Sequence, residues 1–407
     1  MNFKISAIKF AALAATLTLI SSGASALTLD EALNLAMTEH PSVISRQKDL
    51  DAAESRLQGA ERQQFPNLVL QSGKDYLGNR TSTYRVEQSL WTGGRLTGQI
   101  DAANAGVESA KNNLQVSKVD IMDKVIQSYT DLGRVQARIE VARANVREHE
   151  RLADLIARRV GGEVSPTSDG VMGVARLSQA RADLSQLMAQ EARARSALAQ
   201  AIGKDVGNIL VPGQQNLEFT DFNTLLMRSL DYSPKLQRLD AEEKAQQADV
   251  QIKSSANWPQ VVLRVDKTVG GIVPSNQTYV AVDYQSSSGF ANVTQVREAM
   301  AKLESLTASK ETVRRELVDQ VSGDWADLQA YKLQLQDLRA QVNTTNEVFD
   351  SFVRQYAVGR KTWIDVLNSQ RDVSQARYQQ ADADWGMLRS TLKLQLATGT
   401  LPVLAGQ

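Results

Sequence analysis

The chain has 407 residues, 46 Lys plus Arg against 46 Asp plus Glu, two His and no Cys. That inventory excludes a basic nucleic-acid footprint, disulfides, thiolate metal sites and cysteine-linked lipid, and leaves little for a zinc site or a His-based catalytic triad. Aromatics at 5% and only 8 prolines are sparse for the two or three globular domains that such a length ordinarily carries.

Residues 1–26 read as a secretory signal. Lys4 and Lys9 give a positive start, Phe10 to Ile20 an apolar core, and Ala24-Ser25-Ala26 a small-residue cleavage site. The apolar core is about half the ~20 residues a membrane helix needs, and no later stretch is long enough. A mature chain beginning at Leu27 is therefore either soluble or a barrel.

The rest of the sequence divides into two similar units, 27–215 and 216–407. In the first, His40-Pro41 opens a polar helical stretch over 42–64, closed by Phe65-Pro66. A β-hairpin follows over 67–91, two runs of about ten residues around Gly78-Asn79. The spacing of Ile100, Val107, Leu114 and Ile121, then of Val125, Leu132, Ile139, Val146 and Ile156, predicts one long helix over 95–159. The extra step of four after Ile121 is a stutter, which locally unwinds a coiled coil. Ser165-Pro166 starts a second helix over 166–202.

The second unit repeats this order: a helix over 235–257 opened by Pro234, a hairpin over 260–286, a long helix over 291–357 and a helix over 363–398. Leu328, Leu335, Val342, Phe349 and Tyr356 form its heptad seam. Thr83-Tyr84 matches Thr278-Tyr279, Ala180-Arg181 matches Ala376-Arg377, and Ala201-Ile202-Gly203 matches Ala397-Thr398-Gly399, all in order. Each long helix spans about 100 Å at ~1.5 Å per residue, and the two shorter helices of its unit, end to end, match that length.

In the second hairpin Val261, Leu263, Val265 and Val269 alternate with Gln260, Arg264, Asp266 and Thr268, and Val280, Val282 and Tyr284 alternate with Ala281, Asp283 and Gln285. Such alternation is the transmembrane β-barrel pattern, with an amphipathic soluble hairpin as the alternative. The first hairpin is weaker, because Leu68 and Leu70 share a face with Ser72 and Lys74. Four strands cannot close a barrel; twelve, from three chains, leave room for a lumen. Trp91 and Tyr84 suit interfacial anchors or hairpin packing equally. His149, on the long seam, is expected to be buried and paired rather than a ligand.

With Leu27-Thr28-Leu29-Asp30-Glu31-Ala32-Leu33 at the start, the duplication and the segment Tyr356-Ala357-Val358-Gly359-Arg360-Lys361-Thr362-Trp363-Ile364-Asp365-Val366-Leu367-Asn368, the chain resembles the outer membrane factor family, the TolC-like export ducts of Gram-negative bacteria. The likeness covers nearly all of the mature chain. It implies a mostly α fold with a small β part: two tandem repeats of long antiparallel coiled-coil helices, each with a β-hairpin. It further implies a homotrimer whose 12-stranded β-barrel in the outer membrane is continued by an α-helical tunnel into the periplasm.

The same resemblance implies roles. Gly162, Val164, Ser165, Gly359 and Thr362 match the tip where a periplasmic adaptor docks. Tyr356, Lys361 (for the family's usual arginine), Ser168 and Asp169 match the polar links that close the tip, and Asp365 matches its carboxylate ring. Asn368 replaces a second family aspartate. The counterpart turn, Val160 to Val171, is degenerate and one residue longer between its Gly and Asp. The expected function is a passive exit duct and not an enzyme, with no cofactor, no metal and no nucleic acid. Its partners are outer-membrane lipid, the adaptor and an inner-membrane ABC or proton-driven transporter. Type I secretion of a protein such as an adhesin is the leaning, small-molecule or drug efflux the alternative, and a periplasmic coiled-coil adaptor the rival class.

Overall fold

In a computed structural model, the described residues are 27–74, 77–213, 217, 221–270, 275–285, 289 and 291–405. The expected signal, residues 1–26, and parts of both hairpin turns lie outside them.

The chain opens with α1 (Leu29–Glu39), an element the heptad pattern does not announce. Its start is a capping box: Thr28 N–H donates to Glu31 Oε2 (3.0 Å) and Glu31 N–H to Thr28 Oγ1 (3.2 Å). Pro41 then stands in the first turn of α2 (Pro41–Arg62), where its missing N–H costs nothing. The second unit repeats the device with α5 (Phe222–Tyr232) and α6 (Pro234–Ser255). The segments expected at 42–64 and 235–257 are thus each the second helix of a pair broken at proline.

Between these pairs come β1 (Asn67–Lys74), β2 (Arg80–Trp91), α3 (Arg95–Gly161) and α4 (Thr167–Ile202). The second unit continues with β3 (Gln260–Gly270), β4 (Ser275–Asp283), α7 (Ala291–Ala357) and α8 (Trp363–Thr398), and α9 (Pro402–Ala405) closes it. Helices α3 and α7 have 67 residues each, about 100 Å at ~1.5 Å per residue. Gly203 (φ 73°) and Gly399 (φ 71°) end α4 and α8 in the left-handed conformation.

The two hairpins join in one antiparallel sheet of order β1-β2-β3-β4. The central seam pairs Arg85 with Asp266 and Glu87 with Arg264, so complementary charge fixes the register between strands from different units. A bulge at Ser89/Trp91 ends β2.

Helix α3 packs against α1, α2, α4, α6 and α8, whereas α7 packs against α5, α6 and α8. The largest core lies beside α1, where Leu33, Met122, Ile126, Tyr129, Leu198 and Ile202 are buried. Tyr129 Oη donates to the Leu210 carbonyl (2.5 Å) and lies 2.9 Å from that of Leu27, and burial pushes its phenol up to about 12. Midway along the coil, α8 is held on both sides. Trp385 fills the notch left by Gly133 of α3, and Gly386 admits the ring of Tyr331 of α7. Among the described residues, no helix is long and apolar enough to cross a membrane.

Candidate functional site at the helical turns and the sheet

The α3–α4 and α7–α8 turns are built alike. In the second, Gly359 N–H donates to the Tyr356 carbonyl (3.1 Å) and Arg360 N–H to that of Gln355 (2.9 Å). In the first, Glu163 N–H donates to the Val160 carbonyl (3.0 Å) and Val164 N–H to that of Arg159 (2.8 Å). Both are Schellman closures, which satisfy the last carbonyls of a helix and require one residue at positive φ. In the second turn that residue is Gly359 (φ 77°); in the first it is Glu163 (φ 57°), not Gly162 (φ −90°).

This corrects the sequence comparison. The structural counterpart of Gly359 is Glu163, so Asp169 and Asp365 stand at equal distances from their turns, and the first turn is not longer.

The turns are locked together. Tyr356 Oη lies 3.1 Å from Ser165 Oγ, and Arg159 Nε donates to the same Ser165 oxygen at 3.4 Å. The Arg159 guanidinium sits 4.8 Å above the Tyr356 ring, which packs 5.3 Å from Trp363. Trp363 is buried with Leu152, Ile156, Phe349 and Val366. Gly173 makes room for it: a Cβ there would stand 2.9 Å from Ile156 and 3.6 Å from Trp363. Val164 and Val358, by contrast, are 65% and 70% exposed at the apices.

Of the sequence-predicted residues, the structure brings Tyr356 to Ser165 and Thr362 to Asp365. Thr362 N–H and Oγ1–H donate to Asp365 Oδ2 (3.0 and 2.8 Å), and Asp365 N–H donates to Thr362 Oγ1 (3.3 Å). The Thr362 backbone N–H, then its hydroxyl, hold the Asp365 carboxyl below the usual carboxylate range, with Lys361 adding a smaller pull. Asp365 is thus a helix-capping carboxylate. Asp169, its counterpart in α4, follows Pro166 at the cap and has no hydroxyl to engage there. Lys361 Nζ lies 4.1 Å over the Phe352 ring, and Ser168 is exposed in the first turn of α4. Arg159, Trp363, Phe352 and Glu163 were missed by the sequence reading; only Thr362-x-x-Asp365 carried a readable capping signal.

His149 is buried as expected, but its Nδ1 has no partner among the described residues. No group of three or more His, Asp or Glu side chains among the described residues is placed to hold a metal ion.

The sheet, at the opposite end of the long helices, has two unlike faces. Leu68, Leu70, Tyr84, Val86, Leu263, Val265, Val280 and Val282 share one by register. On the other, Arg85 binds Asp266 through two bonds (2.8 and 3.0 Å), and Arg264 joins Glu87 (2.7 Å) to Asp283 (2.5 Å). Among the described residues, the outer edges of β1 and β4 have no strand partner.

Comparison with known proteins agrees with this architecture. The profile of the family described as "Outer membrane efflux protein" matches residues 32–204 and 225–400. The chain is similar to the cobalt-zinc-cadmium resistance protein CzcC of Cupriavidus metallidurans, with 25% identity over 367 residues, 86% of this chain and 85% of that one. Protein CyaE of Bordetella pertussis is 22% identical over 333 residues, 75% of this chain and 69% of its own. Among solved structures, the outer-membrane protein VceC of Vibrio cholerae superposes with a TM-score of 0.80 at 15% identity, covering 91% of this chain and 96% of that one.

Proposed function

The chain belongs to the outer membrane efflux protein family, and from that premise we propose that it is the outer-membrane exit duct of a tripartite export system. The observation that carries this reading is the four-stranded sheet with one apolar face, one charged face and two edges unpaired among the described residues. Such edges seek partners, and closure into a barrel abolishes them. Three copies supply twelve strands, with the charged face toward a lumen and the apolar face toward lipid. Their long coils extend the lumen into the periplasm.

The repeated turns then form the periplasmic tip. Val164, Ser165, Gly162, Gly359 and Thr362 offer the adaptor an exposed apex on a rigid base. Tyr356, Lys361, Ser168 and Asp169 close the tip by links within and between protomers, and three copies of Asp365 line its mouth, where carboxylates favour cations. An inner-membrane transporter supplies the energy.

For cargo, the resistance named for CzcC supports small toxic solutes, divalent metal ions among them. Protein secretion is the second reading, supported by an overall likeness of the second turn region to adhesin-export ducts. A deletion strain separates them. Heightened sensitivity to cobalt, zinc or cadmium with unchanged exported protein supports efflux; retained protein with unchanged sensitivity supports secretion. Recovery of the mature protein as a soluble periplasmic monomer, with no channel after reconstitution, sinks both.

A further inference from the structure

The apolar face of the sheet ends differently at its two limits. At the helix end four exposed aromatics gather, Phe65, Trp91, Trp258 and Tyr284, while Tyr84 lies further along the face. At the far end the same face carries cations. The register puts Lys74 directly opposite Arg80, and both stand at even spacing from Leu68, Leu70, Tyr84 and Val86, whose face they share. Lys267, opposite Tyr84, is on that face too. All three are exposed.

These cations contrast with those of the opposite face, where Arg85 and Arg264 are each held by carboxylates. Lys74, Arg80 and Lys267 have no carboxylate partner among the described residues. Like charges directly opposed across an antiparallel pair repel, so the Lys74–Arg80 pair is destabilising unless an anion lies between them.

The level of the pair identifies the anion. The β2 strand from Arg80 to Trp91 has 12 residues; at ~3.3 Å per residue and a tilt of roughly 40°, it rises about 28 Å along the membrane normal. With the aromatics at one interface, where such rings settle, Lys74 and Arg80 reach the headgroups of the other. Lys267 starts deeper and carries its ammonium upward on an apolar stem.

We propose that Lys74 and Arg80, with Lys267 reaching from below, form a lipid site on the outward face of the sheet for phosphate-bearing headgroups of the outer leaflet. The proposal rests on the barrel reading above. Arg80 offers a planar fork for two phosphate oxygens, and the lysines add point charges. Threefold closure repeats the site three times around the rim.

The test uses the full-length protein in phosphatidylcholine vesicles, with and without diphosphorylated lipid A. Insertion is read by flotation and bound lipid A by native mass spectrometry. The variant Lys74→Gln/Arg80→Gln/Lys267→Gln should insert like the parent yet retain lipid A at least about tenfold more weakly, given the attraction of each basic residue for an anionic surface. Lys74→Arg/Arg80→Lys/Lys267→Arg should restore retention. Equal lipid A retention by parent and neutral variant, both inserted, overturns the site. Displacement of lipid A by equimolar inorganic phosphate also overturns it, because the site would then be one for free anions. Failure of the parent to enter any vesicle overturns the barrel reading and the site with it.

Discussion

Tyr356 and Ser165 are 191 residues apart in sequence, and their hydroxyl oxygens lie 3.1 Å apart. This contact ties the α7–α8 turn to the α3–α4 turn. Removing the hydroxyl in Tyr356→Phe should cost about 0.5–1.5 kcal/mol, while Tyr356→Ala also removes the ring between Arg159 and Trp363 and should cost about 3 kcal/mol. Thermal denaturation checks both. Single-channel recording should show higher conductance for the alanine variant if the lock restrains the tip.

Glu163 occupies a conformation that suits glycine. Glu163→Gly should be neutral or stabilising by up to about 1 kcal/mol, as left-handed strain is relieved against a gain in unfolded-chain freedom. Gly359→Val should be destabilising by about 1–2 kcal/mol. Because the turn is about 100 Å of helix from the sheet, Gly359→Val should impair adaptor crosslinking while leaving trimer assembly intact. Normal crosslinking would place the docking surface elsewhere.

At the first turn of α8, Thr362→Ala removes the oxygen that accepts from Asp365 N–H. Loss of such a cap typically costs about 1 kcal/mol, and the Asp365 carboxyl should titrate at higher pH without the Thr362 hydroxyl. Asp365→Asn should reduce cation preference in planar-bilayer recordings. Unchanged selectivity would leave Asp365 with a capping role alone.

Burial, aided by the Arg176 guanidinium and opposed by Glu148, holds the His149 imidazole below its usual pKa. The unfolded chain therefore binds a proton that the folded chain resists. Its contribution to stability is fully present above about pH 6.5 and declines as pH falls from there toward the lowered folded value. His149→Gln should flatten that part of a pH–melting curve. Persistence of the full acid dependence would assign it to other groups.

Gly133 leaves no room for a side chain. A Cβ there would meet the Trp385 ring at 2.0 Å, so Gly133→Ala should be destabilising by about 1–3 kcal/mol through overpacking. Trp385→Leu should relieve the collision in the double variant, and the two effects should be strongly non-additive in denaturant unfolding.

The long helices and both hairpins were legible because hydrophobic period and strand alternation repeat along whole segments. Helices α1 and α5 escaped because eleven residues hold too few heptads to register; Thr28-x-x-Glu31 was the available sign. The left-handed residue of the first turn is not legible, because Glu163 takes that conformation while its neighbour Gly162 is the type that usually does. Pairing of β2 with β3 links residues about 180 positions apart, which no local pattern encodes; only the opposed charges of Arg85 with Asp266 and Glu87 with Arg264 hint at it. The lock at the turns depended on which way Arg159 and Trp363 point, and sequence spacing does not specify that.

The strand order has a consequence for inheritance. Among the described residues, the two free edges belong to different halves of the chain, β1 to one and β4 to the other. Any ring built from such chains is therefore joined head to tail, each seam setting the β4 of one copy beside the β1 of the next. A copy with only one sound edge can still be recruited, but it cannot pass the ring on. Co-expressed with the normal protein, it should act as a dominant poison, and intact rings of three should fall with the cube of the normal fraction.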